Sequence, residues 1–66
     1  MIRLALARRQ SKMTQGSLAA TLGVTQPRVS RWETGDEAIP LRYGEPLYVL
    51  FGYDLYYLQT RIELPR

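Results

Sequence analysis

Residues 14–35 read Thr-Gln-Gly-Ser-Leu-Ala-Ala-Thr-Leu-Gly-Val-Thr-Gln-Pro-Arg-Val-Ser-Arg-Trp-Glu-Thr-Gly. Two short helical patterns lie in this stretch, with a glycine between them. Thr14 suits an N-cap, because a threonine hydroxyl accepts from the free amides of a first helical turn. The first helix then runs from about Gln15 to Leu22, with Leu18, Ala19 and Leu22 as its buried stripe. Gly23 ends it in the left-handed conformation that costs glycine little. Val24 turns inward at the corner. Thr25 caps the second helix, and Pro27 sits in its first turn, where a missing amide does no harm. Val29 and Trp32 face the core, and the helix ends near Glu33–Thr34 with Gly35 just beyond. The outer face that remains is polar and basic: Gln26, Arg28, Ser30 and Arg31.

The flanks read as further short helices. Residues 2–11 are rich in Ala, Leu, Arg and Gln, all strong helix formers. Leu4, Ala7 and Ala5 fall on one side, and Arg3, Arg9 and Gln10 on the other. Ser11-Lys12-Met13 connects onward, with Met13 inserted into the core. Asp36 to Pro40 is a loop. Pro46 would clash with the carbonyl of Arg42 if Arg42 were well inside a helix. The next helix is therefore set to start near Tyr43–Glu45 and to reach Phe51, with Leu47, Leu50 and Phe51 as its stripe. Gly52 breaks it, and Asp54 caps a short helix over 55–60 with Leu55 and Leu58 inward. The tail from Thr60 to Arg66 alternates apolar and polar residues, which suits a short edge strand or a frayed end. The expected fold class is all-α, four to five short helices in one domain over 1–66, with 61–66 as its tail.

Composition narrows the function classes. A chain of 66 residues buries only about 60% of its unfolded surface. With no Cys and no His, it can form no disulfide and lacks the usual zinc ligands. No apolar run reaches the roughly 18 residues of a membrane span, and the N-terminal apolar stretch is too short for a signal peptide. The expectation is a cytoplasmic protein without metal or cofactor. No catalytic carboxylate spacing and no Gly-rich phosphate loop points to an enzyme. Net charge is +3, but residues 1–32 carry six basic groups and no acid, whereas residues 33–66 carry three basic groups and six acids. Such asymmetry suits one face for a polyanion and another for a different partner.

Two helices joined by a glycine corner, the second with a basic outer face, have the layout of a helix-turn-helix, which places one helix in the major groove of DNA. The residues from Leu4 to Leu58 also resemble the lambda-repressor-like helix-turn-helix family, the XRE or Cro/repressor type. The resemblance rests on Met13-Thr14-Gln15, Leu18-Ala19, Leu22-Gly23-Val24, Thr25-Gln26, Val29-Ser30, Trp32-Glu33 and Gly35 in order and at the right spacing. Leu47 to Leu58, with Gly52, Asp54 and Leu55, resembles the family's last two helices. It implies four or five helices around one core, and a dimer on a near-palindromic operator. It also implies that Arg8 and Glu33 form a partly buried ion pair, which makes Arg8 structural.

Major-groove readout needs paired donors and acceptors on an exposed helix face. Gln26 suits adenine, and Arg28 or Arg31 suits guanine. Gln26 and Arg28 lie about 200° apart on a helix, so only the end-on first turn brings both to base edges. By the resemblance the readout positions are Gln26, Pro27, Arg28 and Arg31. Arg28 reaches a base or a phosphate, and Pro27 can only touch a thymine methyl. Phosphate candidates are Gln15, Thr25, Ser30, Arg42 and Lys12. Gln15 is alternatively a buttress for Gln26. Asp36 and Glu37 would repel phosphate, so either their loop points away or affinity is lower.

Five tyrosines and one phenylalanine fall within Tyr43–Tyr57. Tyrosine is enriched at interfaces, and Tyr53, Tyr56 and Tyr57 are the expected homodimer surface. The leading functional expectation is a small Cro-like repressor binding operator DNA as a dimer, with no small-molecule ligand and no sensing domain. The competing one is an antitoxin-type protein-binding module that uses the aromatic half.

Overall fold

The computed structural model describes residues 1–62. Five α-helices follow one another: α1 Arg3–Gln10, α2 Gln15–Leu22, α3 Gln26–Thr34, α4 Gly44–Phe51 and α5 Leu55–Leu58. A 3₁₀ turn at Leu41–Tyr43 leads into α4. The fold is all-α, and no strand forms among the described residues. The expected edge strand reduces to a single antiparallel bridge between Ile2 and Arg61. Glu63–Arg66, the rest of the anticipated tail, lie outside the described residues.

The helix ends follow local chemistry. Thr14 Oγ1 accepts from the Ser17 amide at 3.0 Å, and Asp54 Oδ1 from the Tyr57 amide at 2.8 Å. Gly23, at φ 73°, and Gly35, at φ 87°, close α2 and α3 in the left-handed region. Thr25 occupies the N-cap position of α3 but makes no side-chain cap bond. Pro27 has no amide to offer it, and the Arg28 amide is taken by the Thr25 carbonyl at 3.1 Å.

Two other boundaries differ from expectation. α1 begins at Arg3 because Ile2 is extended, its amide donating to the Glu33 carbonyl at 2.9 Å. The Arg3 amide donates to Thr60 O at 2.9 Å and the Ile62 amide to Met1 O at 3.0 Å. These bonds stitch the N-terminus to the end of α3 and to the segment after α5. That stitching also stops α5 at Leu58, short of the expected residue 60.

Trp32, Leu4, Leu18, Leu47, Leu58 and Val29 form the fully buried centre. Ile39, read from the sequence as part of a plain loop, is also buried and joins this core. Its amide donates to Gln59 Oε1 at 3.0 Å, which ties the loop to the end of α5. Leu22 is only partly buried, and Leu50, expected inside, lies largely at the surface. Leu47 is the one fully buried member of the α4 stripe, and Phe51 is partly buried. No helix among the described residues is long and apolar enough to cross a membrane.

Candidate nucleic-acid interface

α3 is held from behind and open in front. Val29 and Trp32 are fully buried, and Glu33 nearly so. Glu33 receives two bonds from Arg8 of α1: Nε to Oε2 at 2.6 Å and Nη2 to Oε1 at 3.0 Å. Arg8 Nη1 also donates to the Met13 carbonyl at 2.8 Å. The pair thus locks α1, the α1–α2 connector and α3 together. The hydrogen bond from Glu33 raises the Arg8 pKa above its ordinary value, so the guanidinium is permanently charged.

Gln15, at the start of α2, is half-buried and donates from Nε2 to Glu33 Oε1 at 3.0 Å. Its amide is therefore engaged with the Arg8–Glu33 pair. Gly16 takes the place beneath Gln26 that the sequence offered to Gln15. A Cβ on Gly16 would stand 3.5 Å from Gln26 Oε1. The Gln26 carboxamide thus rests against the first turn of α2, with room for an ordinary contact at Gly16.

The front of α3 carries Gln26 and Pro27, both exposed, at its N-terminal end, with Thr25 exposed just before them. Ser30 is half-buried. Arg28 lies back against the protein, its guanidinium 5.6 Å from the Trp32 ring centre and 6.0 Å from that of Tyr43. Arg31 is the open one, with its side chain 53% exposed. A single carboxylate serves both arginines. Arg28 Nε donates to Glu37 Oε1 and Arg31 Nε to Glu37 Oε2, each at 3.2 Å. The bond from Arg31, with the charge of Arg28, holds the Glu37 carboxyl below the usual glutamate range.

The sequence reading of Glu37 as an acid that repels phosphate missed its other role, as the partner of the two arginines of the exposed face. A signal was present. A left-handed Gly35 reverses the chain, and the Asp36 amide bonds back to the Arg31 carbonyl at 3.0 Å. Whatever follows Gly35 by two residues must then return alongside Arg31. Tyr43 was also missed as a partner, its ring 5.2 Å from that of Trp32.

The remaining candidates are dispersed. Lys12 is exposed and adopts a left-handed backbone, φ 59°. Arg42 is exposed, stacks over Tyr43 at 5.1 Å and borders an open groove with Thr21 and Val49. Tyr53 and Tyr57 stack on each other at 4.6 Å, and Arg3 lies 4.9 Å over Tyr57. Tyr56 projects away from them and is 87% exposed.

The helix-turn-helix family model matches residues 4–44, which span α1 to the start of α4. The chain belongs to the helix-turn-helix family, XRE type. It is 40% identical over 53 residues to a transcriptional regulatory protein of helix-turn-helix type from Pyrobaculum aerophilum. The alignment covers 80% of this chain but only 21% of that relative, so the chain spans about a fifth of the relative's length. No solved structure matches the chain. The helix-turn-helix match contains every residue of the α3 face and both halves of the Arg8–Glu33 pair.

Proposed function

We propose that this helix-turn-helix is the reading head of a sequence-specific transcription regulator, with α3 in the major groove of double-stranded DNA. The observation that carries this reading is the division of α3. Its rear face is locked by Trp32, Val29 and Glu33, and its front offers Gln26, Pro27 and Arg31 to a partner. Gln26 and Arg31 are the base-reading residues, and Arg28 reaches a base or a phosphate from its place over Trp32 and Tyr43. Pro27 limits readout to a methyl contact. Thr25, Ser30, Lys12 and Arg42 are phosphate contacts. Gln15 acts by holding Glu33.

The regulator binds a near-palindromic operator as a dimer in the cytoplasm, with recognition helices about 34 Å apart. The relative named as a transcriptional regulator supports the regulator reading. Tyr56 is the most open of the three tyrosines assigned to the dimer surface, ahead of Tyr53 and Tyr57. Within this reading the chain acts as a small Cro-like repressor. A second reading, a surface for another protein as in an antitoxin, is favoured by Leu41, Val49 and Tyr48, which are 87%, 78% and 58% exposed.

Selection from random duplexes, followed by an anisotropy titration at matched salt, tests the first reading. A selected duplex should bind at least about a thousandfold more tightly than a scrambled one. Equal binding of both would sink it.

A further inference from the structure

We propose that Glu37 is a positioning residue for base readout, gripping Arg28 and Arg31 by their Nε atoms and aiming their terminal nitrogens. The inference deepens the DNA-reading proposal above and rests on it. Each carboxylate oxygen of Glu37 takes one arginine, and each takes it at Nε, at 3.2 Å. Among the described residues, the Nη atoms of Arg28 and Arg31 have no hydrogen-bond partner. On each guanidinium those two nitrogens form the end-on donor fork that matches guanine O6 and N7. A carboxylate at Nε leaves the outer edge of the fork free and fixes the plane in which it lies.

The carboxylate is itself held in place by backbone. Gly35 is left-handed, its amide bonds to Trp32 O at 3.2 Å, and the Asp36 and Glu37 amides both bond to Arg31 O, at 3.0 and 3.3 Å. Arg28 has a second constraint, the rings of Trp32 and Tyr43 beneath it. The arginines are thus ordered before any DNA arrives, which lowers the entropy lost when they bind. The negative charge of Glu37 also weakens contacts that any phosphate would make with them. A phosphate contact needs only charge, whereas guanine needs a correctly oriented fork. Glu37 therefore favours the base contact over the non-specific one.

The test compares wild type with Glu37→Gln and Glu37→Ala on a selected duplex and a scrambled one, by anisotropy at matched salt. In both variants the ratio of selected to scrambled affinity should fall about tenfold, within the range of one bidentate arginine–guanine contact. Affinity for the scrambled duplex should rise a few-fold as a repelling charge is lost. An equal rise on both duplexes would show simple repulsion and overturn the proposal, as would an unchanged ratio. Wild type that does not discriminate would overturn the DNA-reading proposal itself and this one with it. A DNA-free readout separates the two. In the free wild type, the Nε protons of Arg28 and Arg31 should exchange more slowly than that of Arg9, and Glu37→Gln should abolish the difference. Exchange equal to that of Arg9 in wild type would refute the grip whatever the DNA result.

Discussion

Replacing Glu33 by Gln should cost this protein a third or more of its stability, although it removes only one formal charge. Both partners of the Arg8–Glu33 pair are buried, at 8% and 5% exposure. Glu33 accepts from Arg8 twice and from Gln15 once. A glutamine side chain has one acceptor oxygen, so in either orientation its amide nitrogen would face an Arg8 donor. Breaking a buried pair by removing one partner costs about 3–5 kcal/mol, because the survivor is left as an uncompensated charge. A chain of 66 residues has a total stability of roughly 3–10 kcal/mol. The variant should therefore lose a third or more of its stability, and its Tm should fall by about 12 °C or more. Arg8→Met should cost a similar amount, with the Met13 carbonyl losing its donor as well. The double variant Arg8→Met/Glu33→Leu removes both charges and should recover much of the loss. Urea denaturation followed by far-UV circular dichroism measures all four proteins. The reasoning fails if either single change costs less than about 1 kcal/mol, or if the double variant loses the sum of the two.

Other perturbations separate reading, charge and backbone. Arg31→Ala should cost about 1–3 kcal/mol on the selected duplex and relax preference at one base pair, whereas Lys12→Ala should weaken all duplexes alike and lower the salt slope by about one; titrations on point-substituted duplexes check both. Glu37 has a folded pKa below its unfolded one, so its contribution is complete above the unfolded value and disappears as pH falls through the folded one. Stability curves of wild type and Glu37→Gln should accordingly converge on acidification, and a gap that widens at low pH would show the sign to be wrong. Gly16→Ala places a methyl 3.5 Å from Gln26 Oε1, an ordinary contact, and should stabilise the protein by up to about 1 kcal/mol in a thermal melt.

The helices of this fold were legible because their ends are written locally. Thr14, Gly23, Gly35, Gly52 and Asp54 each act within one turn of their own position, and all five lie where the sequence placed them. Readings failed where a partner comes from far along the chain. Ile2 leaves the helical pattern because its amide bonds to Glu33 and its neighbours Met1 and Arg3 bond to Ile62 and Thr60, all more than thirty residues away. Ile39 enters the core because Gln59 fixes its amide. In the candidate site, the identity of the α3 side chains was plain, but their orientation was not. Gln15 is turned inward by Glu33, and Arg28 is turned onto Trp32 and Tyr43. Periodicity gives the direction of a Cβ, and a long side chain then goes wherever its charge is best met.

Glu33 and Glu37 show how the same pairing chemistry serves two ends. They stand on either side of the left-handed Gly35, each joined to arginine at Nε. Glu33 is buried, so its partner cannot exchange it for water without a desolvation loss of several kcal/mol. Glu37 is a third exposed, and its partner Arg31 about half, so solvent screens the attraction and the pair can open cheaply. A side chain that must meet a base edge needs that second kind of bond, strong enough to orient it and weak enough to be shared. The turn at Gly35 decides which acid goes where, by ending the helix after the buried glutamate and returning the chain over the exposed face. Gly35→Ala, by straining that turn, should disturb base preference through Glu37 while leaving the Arg8–Glu33 pair on the helix behind it.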